Sequence, residues 1–130
     1  MVKRMSLFFL MMFLVTGCAE GAFDAEYTLV GAEQAIAMMA EAEDYVILDV
    51  RTREEYAAGH IPGAVCVPNE AIRSNDIPEL PDKEQLIFVY CRSGNRSKQA
   101  AEKLVRLGYT NIVEFGGIND WPGEVVTENE

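Results

Sequence analysis

The chain has 130 residues, with 21 acidic side chains against 11 basic ones and a formal net charge of −10. That length allows one modest domain, and that charge excludes nucleic acid and anionic lipid surfaces as general partners. Lys3 and Arg4 precede Cys18 and every acidic residue follows it, so the part after Cys18 has 9 basic residues and a net charge of −12.

The chain opens on Lys3-Arg4 and an apolar stretch from Ser6 to Val15. At about ten residues it is too short to span a bilayer comfortably. It ends in Leu14-Val15-Thr16-Gly17-Cys18, which resembles the lipobox of bacterial lipoproteins. There, small residues before a cysteine permit cleavage and the cysteine carries the lipid. The resemblance implies a signal peptide over 1–17, a lipid on Cys18, and a tether over 18–26. It also implies export to the outer face of a bacterial membrane, in the cell envelope. An ordinary signal peptide or an uncleaved anchor is the alternative reading. Ala19, where an aspartate would resemble an inner-membrane retention signal, leans toward an outer membrane if the organism has one.

After the tether, Gly31–Ala42 carries Ala32, Ala35, Ile36, Met39 and Ala40 at helical spacing. Tyr45–Val50 is a nearly continuous apolar run, as expected of a strand buried on both faces. Asp49 and Arg51 flank its end. A charge there is costly unless paired, and α/β folds place ligands at that end of their strands. Asp49 and Arg51 therefore either support an active loop or substrate, or form a structural ion pair or N-cap for a short helix over Arg53–Ala58. Gly59 closes that helix, and His60-Ile61-Pro62-Gly63 turns into a strand over Ala64–Val67. His60, the only histidine, reads as a structural hydrogen-bonder before it reads as a general base. Residues 68–83, with a weak helix near Asn69–Ile72, form a surface connection.

Gln85–Tyr90 is the next strand. Cys91-Arg92-Ser93-Gly94-Asn95-Arg96 follows it as a polar loop, and Ser97–Leu107 as a helix with Gly108 as its C′ residue. Strand, tight polar loop and helix aim backbone N–H groups and a positive helix end into one concavity. A thiol at its rim has its thiolate stabilised and its nucleophilicity raised at neutral pH. Cys91 is thus read as a nucleophile handling small anions, with Arg92 and Arg96 beside it. Cys66, inside an apolar run, reads as a second free thiol, the alternative being a disulfide with Cys91 in an oxidising envelope. Asn111–Phe115 is a last strand, Gly116–Gly123 a turn with a brief helix, and Glu124–Glu130 a frayed acidic tail. The order of elements points to an α/β domain with a mainly parallel sheet.

Three segments together resemble the single-domain rhodanese (sulfurtransferase) family. They are Leu48–Arg51 with Glu54-Glu55-Tyr56 and Gly59–Ala64; Tyr90–Ser97; and Gly116-Gly117 through Trp121. The resemblance runs from Tyr27 to Val126, followed by an acidic tail over 127–130. It implies a five-stranded parallel sheet flanked by helices and a persulfide on Cys91. Thiosulfate or a related anion would be the donor, and cyanide or a thiol the acceptor. Arg92 and Arg96 are the expected contacts of the donor's sulfonate oxygens, with Ser93, Gly94 and Asn95 completing the binding loop. The chain is read as a monomer that needs no metal or organic cofactor. A cysteine phosphatase is the rival enzyme, but its loop needs five residues between Cys and Arg, and only four separate Cys91 from Arg96. A persulfide carrier without turnover shares the same loop and remains the other alternative.

Overall fold

Apolar runs with no polar alternation must bury both faces, and in this chain they do so as the strands of a parallel sheet. The computed structural model describes residues 26–74 and 76–129; the signal peptide, Cys18 and the tether up to residue 25 lie outside the described residues. The elements in order are β1 (Thr28–Leu29), α1 (Ala32–Glu41), β2 (Val46–Asp49), α2 (Arg53–Ala58), β3 (Val65–Cys66), β4 (Ile87–Cys91), α3 (Asn95–Arg106) and β5 (Ile112–Gly117). Short 3₁₀ turns over Asn69–Ala71 and Ile118–Asp120 follow β3 and β5. The sheet order is β1-β5-β4-β2-β3 and every pairing is parallel.

Alternation along the strands divides the core in two. Leu48, Ile87, Val89 and Cys91 face Ala100, Ala101 and Leu104 of α3. Ile47, Phe88, Tyr90, Val113 and Phe115 share the opposite face with Ala35 and Met39 of α1. All five residues of β4 are buried, so the central strand is held from both sides. Each large apolar side chain removed from water there contributes roughly 1.5–3 kcal/mol. Cys91 therefore ends an element that cannot shift without disturbing both cores.

Several boundaries differ from the sequence reading. β4 ends on Cys91 instead of Tyr90, and α3 starts at Asn95 instead of Ser97. Only Arg92, Ser93 and Gly94 lie between them, because Gly94 takes a left-handed conformation (φ 116°) that starts the helix at once. α3 ends as expected, with Gly108 N–H on the Val105 carbonyl and Tyr109 N–H on that of Leu104, both at 3.0 Å. β1 has two exposed residues, too few to show a period in the sequence. Gly59 does follow α2, but in extended backbone, and its tight neighbour is the Val125 side chain.

The acidic tail is a correction. Val126 and His60 exchange backbone hydrogen bonds of 2.8 and 2.9 Å, and Glu128 N–H reaches the Ala57 carbonyl at 3.1 Å. Backbone groups of an acidic segment pair like any others, so composition did not reveal this docking.

A buried polar network fixes the end of β2. Asp49 is fully buried and accepts from Arg51 Nη2 at 2.7 Å, Arg51 Nε at 2.9 Å and the Tyr90 hydroxyl at 2.7 Å. Arg51 also donates to the Gly59 carbonyl at 2.7 Å, and Ile61 N–H donates to the Tyr90 oxygen at 3.1 Å. The N-cap of α2 is Thr52, in a capping box with Glu55. Asp49 is therefore a partner for Arg51 and Tyr90 and not a helix cap. Removing one member strands a buried charge, so Asp49→Ala is expected to lower unfolding free energy by about 3–5 kcal/mol in denaturant titrations.

Candidate active site

Because the sheet is wholly parallel, the C-terminal ends of β2, β4 and β5 lie along one edge, and Cys91 sits at its centre. The thiol is 1% exposed. Gly94 N–H donates to Cys91 Sγ at 3.0 Å, and Ser97 Oγ lies 3.5 Å from the sulfur. Burial pushes the thiol up, but the Ser97 hydroxyl and the N–H groups of Ser97, Gly94 and Ser93 together outweigh it. The result is a pKa below the ordinary thiol value. A thiolate held by fixed backbone donors at a helix start is a competent nucleophile at neutral pH.

The turn after β5 closes the site from behind. One extra residue on β5 shifts the register, so that Val89 pairs with Glu114 but Cys91 with Gly117. A Cβ on Gly117 would lie 1.9 Å from the Arg92 carbonyl oxygen, so only glycine permits this approach. Asn119 N–H then satisfies that carbonyl at 3.2 Å. The bulge also brings Glu114 to Ser97, whose hydroxyl hydrogen-bonds its Oε2; Gly116 N–H donates to the same oxygen at 3.0 Å. Glu114 is fully buried, and its Oε1 has no partner among the described residues.

The candidate residues are placed as follows. Gly94 supplies both the turn and a donor to sulfur. Ser93 is exposed and contributes its backbone N–H, and Asn95 is exposed in the first turn of α3. Arg92 is exposed and lines a cavity of about 390 Å³ with Arg51, Glu55, Ile118 and Asn119. Arg96 makes a two-pronged ion pair with Glu55, Nη1 to Oε1 at 2.8 Å and Nη2 to Oε2 at 3.2 Å. Asp49 and Arg51 form the buried pair at the neighbouring strand end. His60 donates from Nδ1 to the Tyr56 carbonyl at 2.8 Å and stacks on the Tyr56 ring at 3.7 Å, a structural engagement. Cys66 is a free, buried thiol, pushed up to about 11 by burial and then by Asp49. Among the described residues no cluster of three or more His, Cys, Asp or Glu side chains could hold a metal ion.

The Rhodanese-like domain profile matches residues 31–124 of the chain. The chain belongs to the rhodanese-like family. This rhodanese-like chain is 36% identical over 110 residues to thiosulfate sulfurtransferase GlpE of Pseudomonas entomophila, covering 81% of the chain and 97% of that protein. A solved rhodanese with anions from E. coli superposes with a TM-score of 0.59 at 34% identity, covering 64% of this chain and 98% of that one. Other relatives are much longer. The chain is 36% identical over 80 residues to an adenylyltransferase and sulfurtransferase of Ogataea parapolymorpha, and covers 61% of itself but only 20% of that protein.

The Ser97 hydroxyl and the Glu114 carboxylate are site groups that the sequence pattern, which points only to loop N–H groups from Arg92 to Ser97, does not reveal. The available signal was a glutamate inside the buried run Ile112–Phe115, as costly there as Asp49 is in β2. Ser97→Ala is expected to move the pH midpoint of Cys91 alkylation upward, since one stabiliser of the thiolate is lost while burial remains. Rates of iodoacetamide labelling across pH would show it.

Proposed function

We propose that this protein is a rhodanese-type sulfurtransferase that moves sulfane sulfur through a persulfide on Cys91. The observation that carries this reading is the thiol held at 3.0 Å by Gly94 N–H inside a turn only three residues long. Cys91 thiolate attacks the outer sulfur of thiosulfate or a similar donor. A Cys91–sulfur bond forms, the sulfur–sulfur bond of the donor breaks, and sulfite leaves with the electron pair. The persulfide keeps its negative charge on the outer sulfur, within the N–H groups of the turn and the helix start. A thiophilic acceptor, cyanide or a thiolate, then takes that sulfur, and the Cys91 thiolate returns. Arg92 is placed to attract the anionic donor, and the short ring suits one sulfur atom better than a phosphate group.

The test uses the full chain purified in detergent under reducing conditions. Incubation with thiosulfate should add the mass of one sulfur atom, cyanide should discharge it as thiocyanate, and Cys91→Ser should take up none. Thiocyanate formed over many cycles fits an enzyme. A single cycle would mark a carrier instead, and no sulfur uptake would overturn the reading.

We also infer that the domain is lipid-anchored in a bacterial cell envelope. The support is the run Leu14–Cys18 after a basic head and a short apolar stretch, together with an acidic remainder that does not itself favour anionic lipid. Expressed in a bacterium, Cys18→Ala is expected to lose lipid labelling and to move from the lipoprotein fraction. Unchanged fractionation of the variant would count against the anchor.

A further inference from the structure

We propose that Glu55 is a positioning residue that sets donor specificity: by holding Arg96 it biases the Cys91 site against doubly negative sulfur donors and toward singly negative ones. This rests on the sulfurtransferase reading. Arg96 occupies the first turn of α3, one residue before Ser97, and is directed at Glu55 on α2 through two hydrogen bonds. Both side chains are about one-third exposed, 33% and 28%, so the pair lies near the surface and not in the core, and Glu55 lines the same cavity as Arg92 of the active loop. Arg96 is kept firmly cationic by its bonds to Glu55 and, in smaller part, by the charge of Cys91.

The charges facing the cavity explain the bias. Arg51, Glu55 and Arg92 line it; Arg51 is already neutralised by Asp49, and Arg96 by Glu55. Glu55 thus subtracts one unit from the net charge that these groups present. A ligand's attraction to that net charge scales with its own charge. Removing the Glu55 charge therefore favours a dianion twice as strongly as a monoanion. It also frees a guanidinium whose planar fork suits a sulfonate. Glu55 holds Arg96 in place without itself touching the sulfur or the donor.

Glu55→Gln isolates the charge, because a capping box accepts glutamine as well as glutamate and Thr52 keeps its partner. Persulfide loading is measured by intact mass on the full chain in detergent, across saturating concentrations of two donors. Thiosulfate carries two charges; methanethiosulfonate carries one and releases methanesulfinate after the same attack. The half-saturation concentration for thiosulfate should fall about fivefold and that for methanethiosulfonate about twofold, with limiting rates little changed. The reverse substitution, Arg96→Gln, should raise the thiosulfate value more than the methanethiosulfonate value, and covers the case in which Glu55→Gln folds poorly. Equal shifts for both donors, no shift, or a rise for thiosulfate in Glu55→Gln would overturn the proposal. Failure of the wild-type chain to load from either donor would instead overturn the sulfurtransferase reading, so the two failures are distinct.

Discussion

The turn after β4 and the turn after β5 touch backbone to backbone, with the Arg92 carbonyl where any side chain at Gly117 would have to be. That contact fixes the path of Arg92-Ser93-Gly94. With the carbonyl of Arg92 turned out to Asn119 N–H, the N–H groups that follow turn in toward the sulfur. The single-residue bulge on β5 is the other half of the same arrangement, since it brings Gly117 against Arg92 and Glu114 against Ser97. The thiol gains its acidity first from the Ser97 hydroxyl and then from the backbone N–H groups of Ser97, Gly94 and Ser93, which together outweigh burial.

Three carboxylates surround the site, and each is held differently. Asp49 is buried and satisfied by Arg51 and Tyr90, so it locks the end of β2 to that of β4. Burial and then Asp49 push the Tyr90 hydroxyl far above the ordinary tyrosine value, which keeps it a proton donor in that network. Glu55 is partly exposed and lowered to about 2, first by its bond to Arg96, so it stays ionised at any physiological pH. Glu114 is buried against Ser97 without a cation. The first ties two strands of the sheet together, the second lines the cavity beside Arg92, and the third holds its own strand's Gly116 N–H and reaches the sulfur through one hydroxyl.

Membership of the rhodanese-like family and the geometry of the loop converge on the same chemistry by separate routes. A thiol nucleophile must be acidic enough to ionise near neutral pH, and the turn together with Ser97 favours that. A transferred sulfur atom needs little room and a few N–H donors, and a three-residue turn provides that as well. His60, the only histidine, has its ring committed to Tyr56 and its backbone to the docked C-terminal segment.

The parallel α/β fold was legible because Tyr45–Val50 and Gln85–Tyr90 lack alternation, and a strand with two apolar faces needs cover on both. Cys91 was legible because a cysteine between such a strand and a polar, glycine-containing turn has one physical consequence. The sequence could not show that Arg96 faces Glu55, that Glu114 reaches Ser97, or that Val126 pairs with His60. These partners lie 41, 17 and 66 residues apart in the chain, and only the sheet order brings them together. Local pattern determined by itself the longer strands and helices, though not the two-residue β1, and which thiol sits at a strand end, because those depend on neighbours in sequence. Tertiary structure alone decided which charges meet at that thiol, because hydrogen bonds and ion pairs are set by distance in space.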